Sequence, residues 1–518
     1  MSIRFLPIFV LAICSLAACE TSQSTKEVLI KDDTRALYDP SLKPFYHGVA
    51  SGDPLANAVI IWTRITPDYV EELEISWAIA RDERFEQMVG SGKAKTGPAQ
   101  DYTVKVDVQG LEPDTYYYYR FQHGKSFSTT GRTKTTPVSP TDALKLAFIS
   151  CSNYEGGYFN AYRTLAKQEG LDAVVHLGDY IYEYGPKTYG DTTLERKHLP
   201  AREIISLQDY RTRYAQYRLD KDLQLAHQMH PFIAIWDDHE IANDSYVDGA
   251  QNHQPNEGDY EARKKAAVKA YFEWLPIREN PDQKIYRHFS LGPMADLFML
   301  DGRLEGRVVQ AKSVDEVGFD DEHRTMLGKE QYQWLTTGLA GSKATWKLIG
   351  NQVIFADLDI SPFGWGSPVN LDSWDGYPSE KRKLISFFQE KQLNNLLFLT
   401  GDTHCSWAFE VPANREAYQK NGSSVVALEL GTPSISSANI DEYTPRDTVL
   451  MAEKIMASPK LNSHLKYVNL RDHGYLILSL TPDKALASWH FVEALNVPTE
   501  NETIGNRVTI RSGLHKLQ

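Results

Sequence analysis

Two rhythms of apolar and polar positions divide this chain. From about Phe45 to Thr136 apolar residues alternate with polar ones in short runs broken by Gly, Pro and Asp, the period-two pattern of half-buried strands. Val59-Ile60-Ile61-Trp62-Thr63, Leu73 to Ile79 and Thr103 to Val108 are the clearest of these runs. After Asp142 the pattern changes to short, wholly apolar runs separated by helical stretches, which predicts a largely buried sheet with helices against it.

Six of the apolar runs end in a residue able to coordinate or hydrogen-bond. Leu146 to Ser150 leads to Cys151, Ala173 to Gly178 leads to Asp179, and Phe232 to Trp236 leads to Asp237 and Asp238. Leu297 to Leu300 leads to Asp301, Trp346 to Gly350 leads to Asn351 and Gln352, and Leu396 to Gly401 leads to Asp402. In α/β folds ligands bind outside the carboxyl ends of strands, so these six ends are expected to meet at one crevice. In the first region, Gly110 to Arg120 resembles the corner of a fibronectin type III-like sandwich, where a Tyr bonds back to the chain upstream. Its run of four tyrosines reads either as alternating core and surface positions or as a carbohydrate platform. Thr133 to Thr141, rich in Thr and Pro, reads as a linker.

The first residues follow neither rhythm. Phe5 to Leu16 is an apolar stretch behind a single Arg4, the layout of a secretory signal peptide and too short to span a bilayer comfortably. It ends in Leu16-Ala17-Ala18-Cys19, which resembles a lipobox; the expectation is a signal over 1–18, lipid on Cys19, and a polar tether over 19–44. A plain signal peptide cleaved nearby is the alternative. The expected product is an exported protein, lipid-anchored in the cell envelope.

Composition narrows the partners. The 518 residues carry a formal charge of -13, with no long basic run, which argues against nonspecific binding along nucleic acid. There are four cysteines; with Cys14 lost in the signal and Cys19 lipidated, Cys151 and Cys405 remain, too few for a disulfide scaffold.

The chemistry concentrates in three segments. In Val174 to Tyr184, Asp179 leaves a strand just after Gly178, where each carboxylate oxygen can face a different cation. Thr400-Gly401-Asp402-Thr403-His404 presents a carboxylate and an imidazole two residues apart, on one side of the chain if it stays extended. Trp236-Asp237-Asp238-His239-Glu240 opens an apolar strand into four ionisable residues, costly together unless cations or solvent neutralise them. Cys151 and Tyr182 add thiolate and phenolate donors, which suit a highly charged iron rather than calcium or magnesium. Each alone is equally well a packed buried residue.

Phe45 to Pro54, Asn57 to Arg64, Ser150 to Tyr154, Leu177 to Tyr184, Trp236 to Glu240, Gly350 to Gln352 and Thr400 to His404 together resemble the successive signatures of PhoD-type alkaline phosphatases, from about residue 45 to the region near 495. The resemblance implies an α/β four-layer, calcineurin-like metallophosphoesterase domain over 142–495, an N-terminal all-β fibronectin type III-like domain over 45–136, and a tail over 496–518. It implies Fe3+ on Cys151, Asp179, Tyr182, Asp402 and His404, and Ca2+ sharing Asp179, with Asn243 as its ligand and Asp238 as a further one. Two departures stand out: Ala242-Asn243-Asp244 lies where the family often has Glu-Asn-Asn, and Cys405 lies where Ser is usual.

The expected reaction is attack on a phosphate ester by a metal-activated water, with His239 protonating the leaving oxygen or bonding a phosphate oxygen. Arg303 either grips phosphate bidentately or pairs with Asp301. Monoesters, diesters and, beside a membrane, phospholipids all fit this chemistry. A serine nucleophile at Ser152 or in Asp244-Ser245 lacks the Gly-x-Ser-x-Gly elbow. An adhesive, non-catalytic lipoprotein would leave the whole constellation without use. Cys151 is expected to ligate metal, with Cys405 a packed thiol; a Cys151–Cys405 disulfide is the alternative in an oxidising compartment.

Overall fold

The computed structural model describes residues 33–518 apart from Thr192 and Trp365. The expected signal, the lipidation site Cys19 and the tether up to residue 32 lie outside the described residues. Among the described residues no helix is long and apolar enough to cross a membrane.

The buried runs form two mixed sheets. The first has nine strands, in the order Glu502–Arg511, Lys484–Val492, Gly474–Leu480, Leu144–Ile149, Ala173–His176, Pro231–Ala234, Val49–Gly52, Ala58–Arg64 and Thr103–Gln109. The second has seven: Arg287–Leu291, Ala295–Met299, Trp346–Gly350, Leu396–Thr400, Val425–Gly431, Ser406–Pro412 and Leu465–Asn469. Each has a parallel centre. Leu144–Ile149, Ala173–His176 and Pro231–Ala234 run side by side in one, and Ala295–Met299, Trp346–Gly350 and Leu396–Thr400 in the other.

The pleat explains why these runs are apolar at successive positions through their centres, with Asp296 and Lys347 near the strand starts as the polar exceptions. Leu297, Leu348, Leu397 and Leu399 pack in one cluster with Phe148 and Leu177 of the first sheet. Their neighbours Phe298, Ile349 and Phe398 point the other way, into a second cluster with Leu335 and Leu339 of helix Gly328–Gly341 and Leu384 and Phe388 of helix Pro378–Glu390. Both faces are covered, so a polar residue in the middle of such a strand would be buried. On the first sheet, helix Leu207–Arg218 contributes Tyr210, Tyr214 and Tyr217 to the core. Ser206 and Asp209 start that helix with a reciprocal capping box.

Three expectations change here. The N-terminal region does not have both of its sheets to itself: Val49–Gly52, Ala58–Arg64 and Thr103–Gln109 extend the nine-stranded sheet, and the rest forms a five-stranded sheet facing them. Val59 and Ile61 pack with Ile75, Ile79, Tyr117 and Tyr119 of that small sheet, whereas Trp62, on the opposite face, enters the central core. Residues past 495 are not a tail, since Glu502–Arg511 is an edge strand that buries Val508 and Ile510. The described end of the expected tether, 33–44, forms two short 3-10 turns, and Tyr38 stacks on Tyr46 at 4.2 Å. The expected tyrosine bond is present: Tyr117 Oη accepts the Glu112 N–H at 2.8 Å, and Tyr117 and Tyr119 are buried.

Candidate metal centre

The carboxyl ends of the two parallel triplets converge. The first sheet delivers Cys151, Asp179, Asp237 and Asp238; the second delivers Arg303, Asp402 and His404. Three overlapping groups have ligand atoms all within 4.8 Å of one another: Cys151 with Asp179 and His404, Asp179 with Asp238 and His239, and Asp237 with Asp238 and Asp402. Asp179 joins the first group to the second, as a bridging carboxylate would.

Backbone conformation brings them there. Cys151, Asp179, Asp402 and His404 all have left-handed φ, between 57° and 63°. Such a conformation is costly for residues with a Cβ, and its clustering here marks a functional constraint. Gly178, at φ 113°, passes so close to the next strand end that a Cβ would lie 2.4 Å from Asp237 Cβ. The extended geometry expected for Asp402 and His404 is therefore replaced by a turn. Asp402 falls with Asp237 and Asp238, and His404 with Cys151 and Asp179.

Around the first group, Tyr182 Oη donates to Asp179 Oδ2 at 2.9 Å and lies 3.3 Å from His404 Nε2. His404 Nδ1 is held at 2.8 Å by the Ala438 carbonyl, which turns Nε2 toward the cluster. Burial pushes the Cys151 thiol and the Tyr182 phenol well up, Asp179 adding to both, and holds His404 neutral by lowering it to about 4. Asp179 Oδ1 and Asp237 Oδ2 are buried with no hydrogen-bond partner. A partnerless buried carboxylate oxygen is expensive in the absence of a cation.

The charge balance is negative. Asp179 and Asp402 are pushed well up by burial and by neighbouring carboxylates, and Asp237 rises to about 7, burial outweighing Arg303. Asp238 is driven down, to about 2, because Arg303 and His239 outweigh its burial, and Asp372 is lowered too, by Arg303 and Arg307. The donor set of thiolate, phenolate, imidazole and carboxylates, with two orphaned oxygens, fits a hard trivalent cation beside a divalent one.

Arg303 is fully buried, and its guanidinium is filled by carboxylates. Nε bonds Asp237, Nη1 and Nη2 bond the two oxygens of Asp372 at 2.8 and 2.9 Å, and Nη2 also reaches Asp402 at 3.3 Å. The expected pairing with Asp301 is not made, since Asp301 takes only the backbone N–H of Arg303, at 2.9 Å, with those of Leu304 and the Trp236 indole. Nor does the guanidinium offer a free donor pair for phosphate. Asn351 and Gln352 are braces rather than site groups: Gln352 Nε2 bonds the carbonyls of Trp236 and Leu300, tying the two sheets together behind the centre.

His239 lies against Tyr182, ring centroids 4.2 Å apart and planes tilted by 32°, and its Nδ1 pairs with Glu183 at 2.7 Å. Burial opposes its charge, but Glu183, Asp238 and Asp179 together raise it well above an ordinary imidazole. Asn243 lies on the adjoining loop; its N–H donates to Glu183 and its side-chain amide to Gln251 at 3.1 Å.

Glu183, Asp372 and Ser437 did not emerge from the sequence, and Glu240 only as one of four ionisable residues in a row. Glu240 is fully buried and accepts the N–H groups of Asp179, Tyr180 and Asp237, at 3.1, 2.6 and 2.8 Å, so one carboxylate clamps two strand ends. Its position in Asp237-Asp238-His239-Glu240 was the only signal. The serine alternatives are closed: Ser152 Oγ bonds Tyr162 Oη at 2.6 Å, Ser245 Oγ bonds the Ala242 carbonyl at 2.5 Å, and both are fully buried. Cys151 and Cys405 are both free, and Cys405 packs in the cluster behind the second sheet.

Comparison with known proteins gives one consistent picture. Residues 146–489 match the family described as PhoD-like phosphatase, and residues 33–137 match the PhoD-like phosphatase N-terminal domain. Alkaline phosphatase D of Bacillus subtilis (strain 168) is 38% identical over 477 residues, 88% of this chain and 79% of that protein. A solved structure of PhoD superposes with a TM-score of 0.83 at 36% identity, covering 93% of this chain and 92% of the other.

Proposed function

This chain belongs to the PhoD-like phosphatase family and is a phosphoesterase, and on that premise we propose that it hydrolyses phosphate esters with the help of two cations held at the junction of its sheets. The observation that carries the reading is the buried excess of carboxylates around Asp179, one of whose oxygens has no partner. Cys151, Asp179, Tyr182, Asp402 and His404 would hold Fe3+, and Asp179, Asp238 and Asn243 would hold Ca2+. When bound, the cations supply charge that polarises the phosphoryl oxygens and acidity that makes water a nucleophile near neutral pH.

The protein's own residues do the rest. Asp179 would be the ligand common to the two cations, and Glu240 fixes the backbone from which it projects. Glu183 holds the proton on His239 Nδ1, leaving Nε2 to protonate the departing ester oxygen. Arg303, its guanidinium turned to carboxylates, holds Asp237, Asp372 and Asp402 in place.

The same proposal includes a four-layer arrangement of helices and sheets, fronted by a fibronectin type III-like unit and attached to the cell envelope through lipid on Cys19. The layered arrangement is supported by the two-sided packing of the second sheet and the fibronectin-like unit by the Tyr117 bond to Glu112, while the anchor rests on the Leu16-Ala17-Ala18-Cys19 segment of the sequence alone. The test is hydrolysis of aryl phosphate monoesters and diesters with and without chelator, beside elemental analysis. Chelator-resistant turnover by metal-free protein would overturn it.

A further inference from the structure

One loop encloses the half of the centre that contains Cys151, Tyr182 and His404. Residues 432–439 follow the strand Val425–Gly431 and carry serines at 434, 436 and 437. The Ser434 N–H donates to the His404 carbonyl at 3.0 Å, and the Ile435 N–H to that of Ser150 at 2.9 Å. The N–H groups of Ser436 and Ser437 both donate to the Cys151 carbonyl, at 3.3 and 3.2 Å. Ala438 supplies the carbonyl that orients His404.

Ser437 does more than brace the backbone. Its fully buried Oγ lies 2.6 Å from Tyr182 Oη and 2.9 Å from the Cys151 carbonyl. A hydroxyl has a single proton to share between those acceptors. The Cys151 carbonyl keeps two backbone donors when that proton turns away, so redirecting it toward Tyr182 leaves no group unsatisfied.

We propose that Ser437 is a positioning residue that donates its hydroxyl proton to the Tyr182 oxygen when that oxygen ligates ferric iron, fixing the ring and tempering the charge it gives to the metal. This rests on the ferric reading of the preceding subsection. A donor on the far side of a ligating atom withdraws electron density from the metal bond. Ser437 thus keeps the iron more acidic than an unassisted phenolate would.

Removing the donor raises the energy of the phenolate lone pairs. The visible phenolate-to-iron band then moves to longer wavelength and the Fe(III)/Fe(II) potential falls. The experiment compares iron-loaded wild type, Ser437→Ala and Ser437→Thr by absorption, redox titration and steady-state kinetics, with metal content measured on each. Expected are a red-shifted band, a lower potential and a kcat reduced ~10–100-fold at unchanged KM in Ser437→Ala, with Ser437→Thr restoring all three. The wild type alone gives an independent reading, because a hydroxyl bonded to the phenolate makes its iron–oxygen resonance Raman mode sensitive to D2O.

A coloured, iron-loaded wild type whose mode ignores D2O, or whose band and potential are unmoved in Ser437→Ala, overturns the role of Ser437 and leaves the ferric centre standing. A wild type without iron or without the band overturns the ferric reading and this inference with it.

Discussion

Arg303 and Asp372 form a two-point ion pair inside the protein, the guanidinium nitrogens meeting the two carboxylate oxygens at 2.8 and 2.9 Å. The remaining nitrogen meets Asp237, so Arg303, joined on Asp372 by Arg307, organises the acidic side of the centre. Arg303→Met should therefore destabilise the metal-free protein by ~3–5 kcal/mol, the cost of stranding buried carboxylates. Added Ca2+ should restore part of the loss, giving a larger calcium-induced rise in Tm than in wild type. Thermal unfolding with and without calcium measures this. An unchanged Tm with weakened inhibition by inorganic phosphate would instead make Arg303 a substrate ligand.

Asp179→Asn keeps side-chain size and removes the charge that faces both groups of ligands. Its activity should drop by more than the ~10–100-fold typical of losing a supporting residue, with the far-UV circular dichroism unchanged. Full turnover in metal-replete protein would exclude a bridging role.

Cys405 packs with Trp407 and Phe409 behind the second sheet, in a different cluster from the centre, whereas Cys151 lies against Asp179 and His404. Cys405→Ser should stay fully active and Cys151→Ser should be iron-poor. Mass spectrometry of a digest made without reductant should find no linked Cys151–Cys405 peptide; such a peptide in active, iron-loaded enzyme would contradict thiolate ligation.

His230 and His464 are buried away from the centre, and burial lowers both to about 4. Both are neutral in the folded protein, while an unfolded chain protonates them near pH 6.5. Their contribution is complete above pH 6.5 and is lost as pH falls toward 4, by on the order of 3 kcal/mol each. Denaturant unfolding between pH 7 and 4 should show this decline, and His230→Gln should flatten it. A stability independent of pH across that window would refute the assignment.

Much of this was legible before any coordinates. The alternation of Leu73 to Ile79, the apolar run ending at Asp179 and the spacing of Cys151, Tyr182 and His404 announced strands, strand ends and donors, because side-chain period and donor chemistry are local properties. The resemblance supplied the family. A segment taken alone does not show its neighbours: Asp402 to His404 reads as extended, but closure against Gln352, whose carbonyl accepts the Gly401 N–H, bends it into left-handed turns.

The sequence by itself determined the identity and order of the polar residues at the strand ends, the apolar character of the sheets and the family. Only the tertiary structure decided that the first strands extend the main sheet and that Glu502–Arg511 closes it. It also decided that Arg303 answers Asp237, Asp372 and Asp402 rather than Asp301, that Glu240 clamps two strand ends, and that Ser437 touches Tyr182. The physical reason is distance along the chain. Ser437 lies 255 residues from Tyr182, and Arg303 lies 69 from Asp372. No local pattern pairs such residues; the packing of two sheets does.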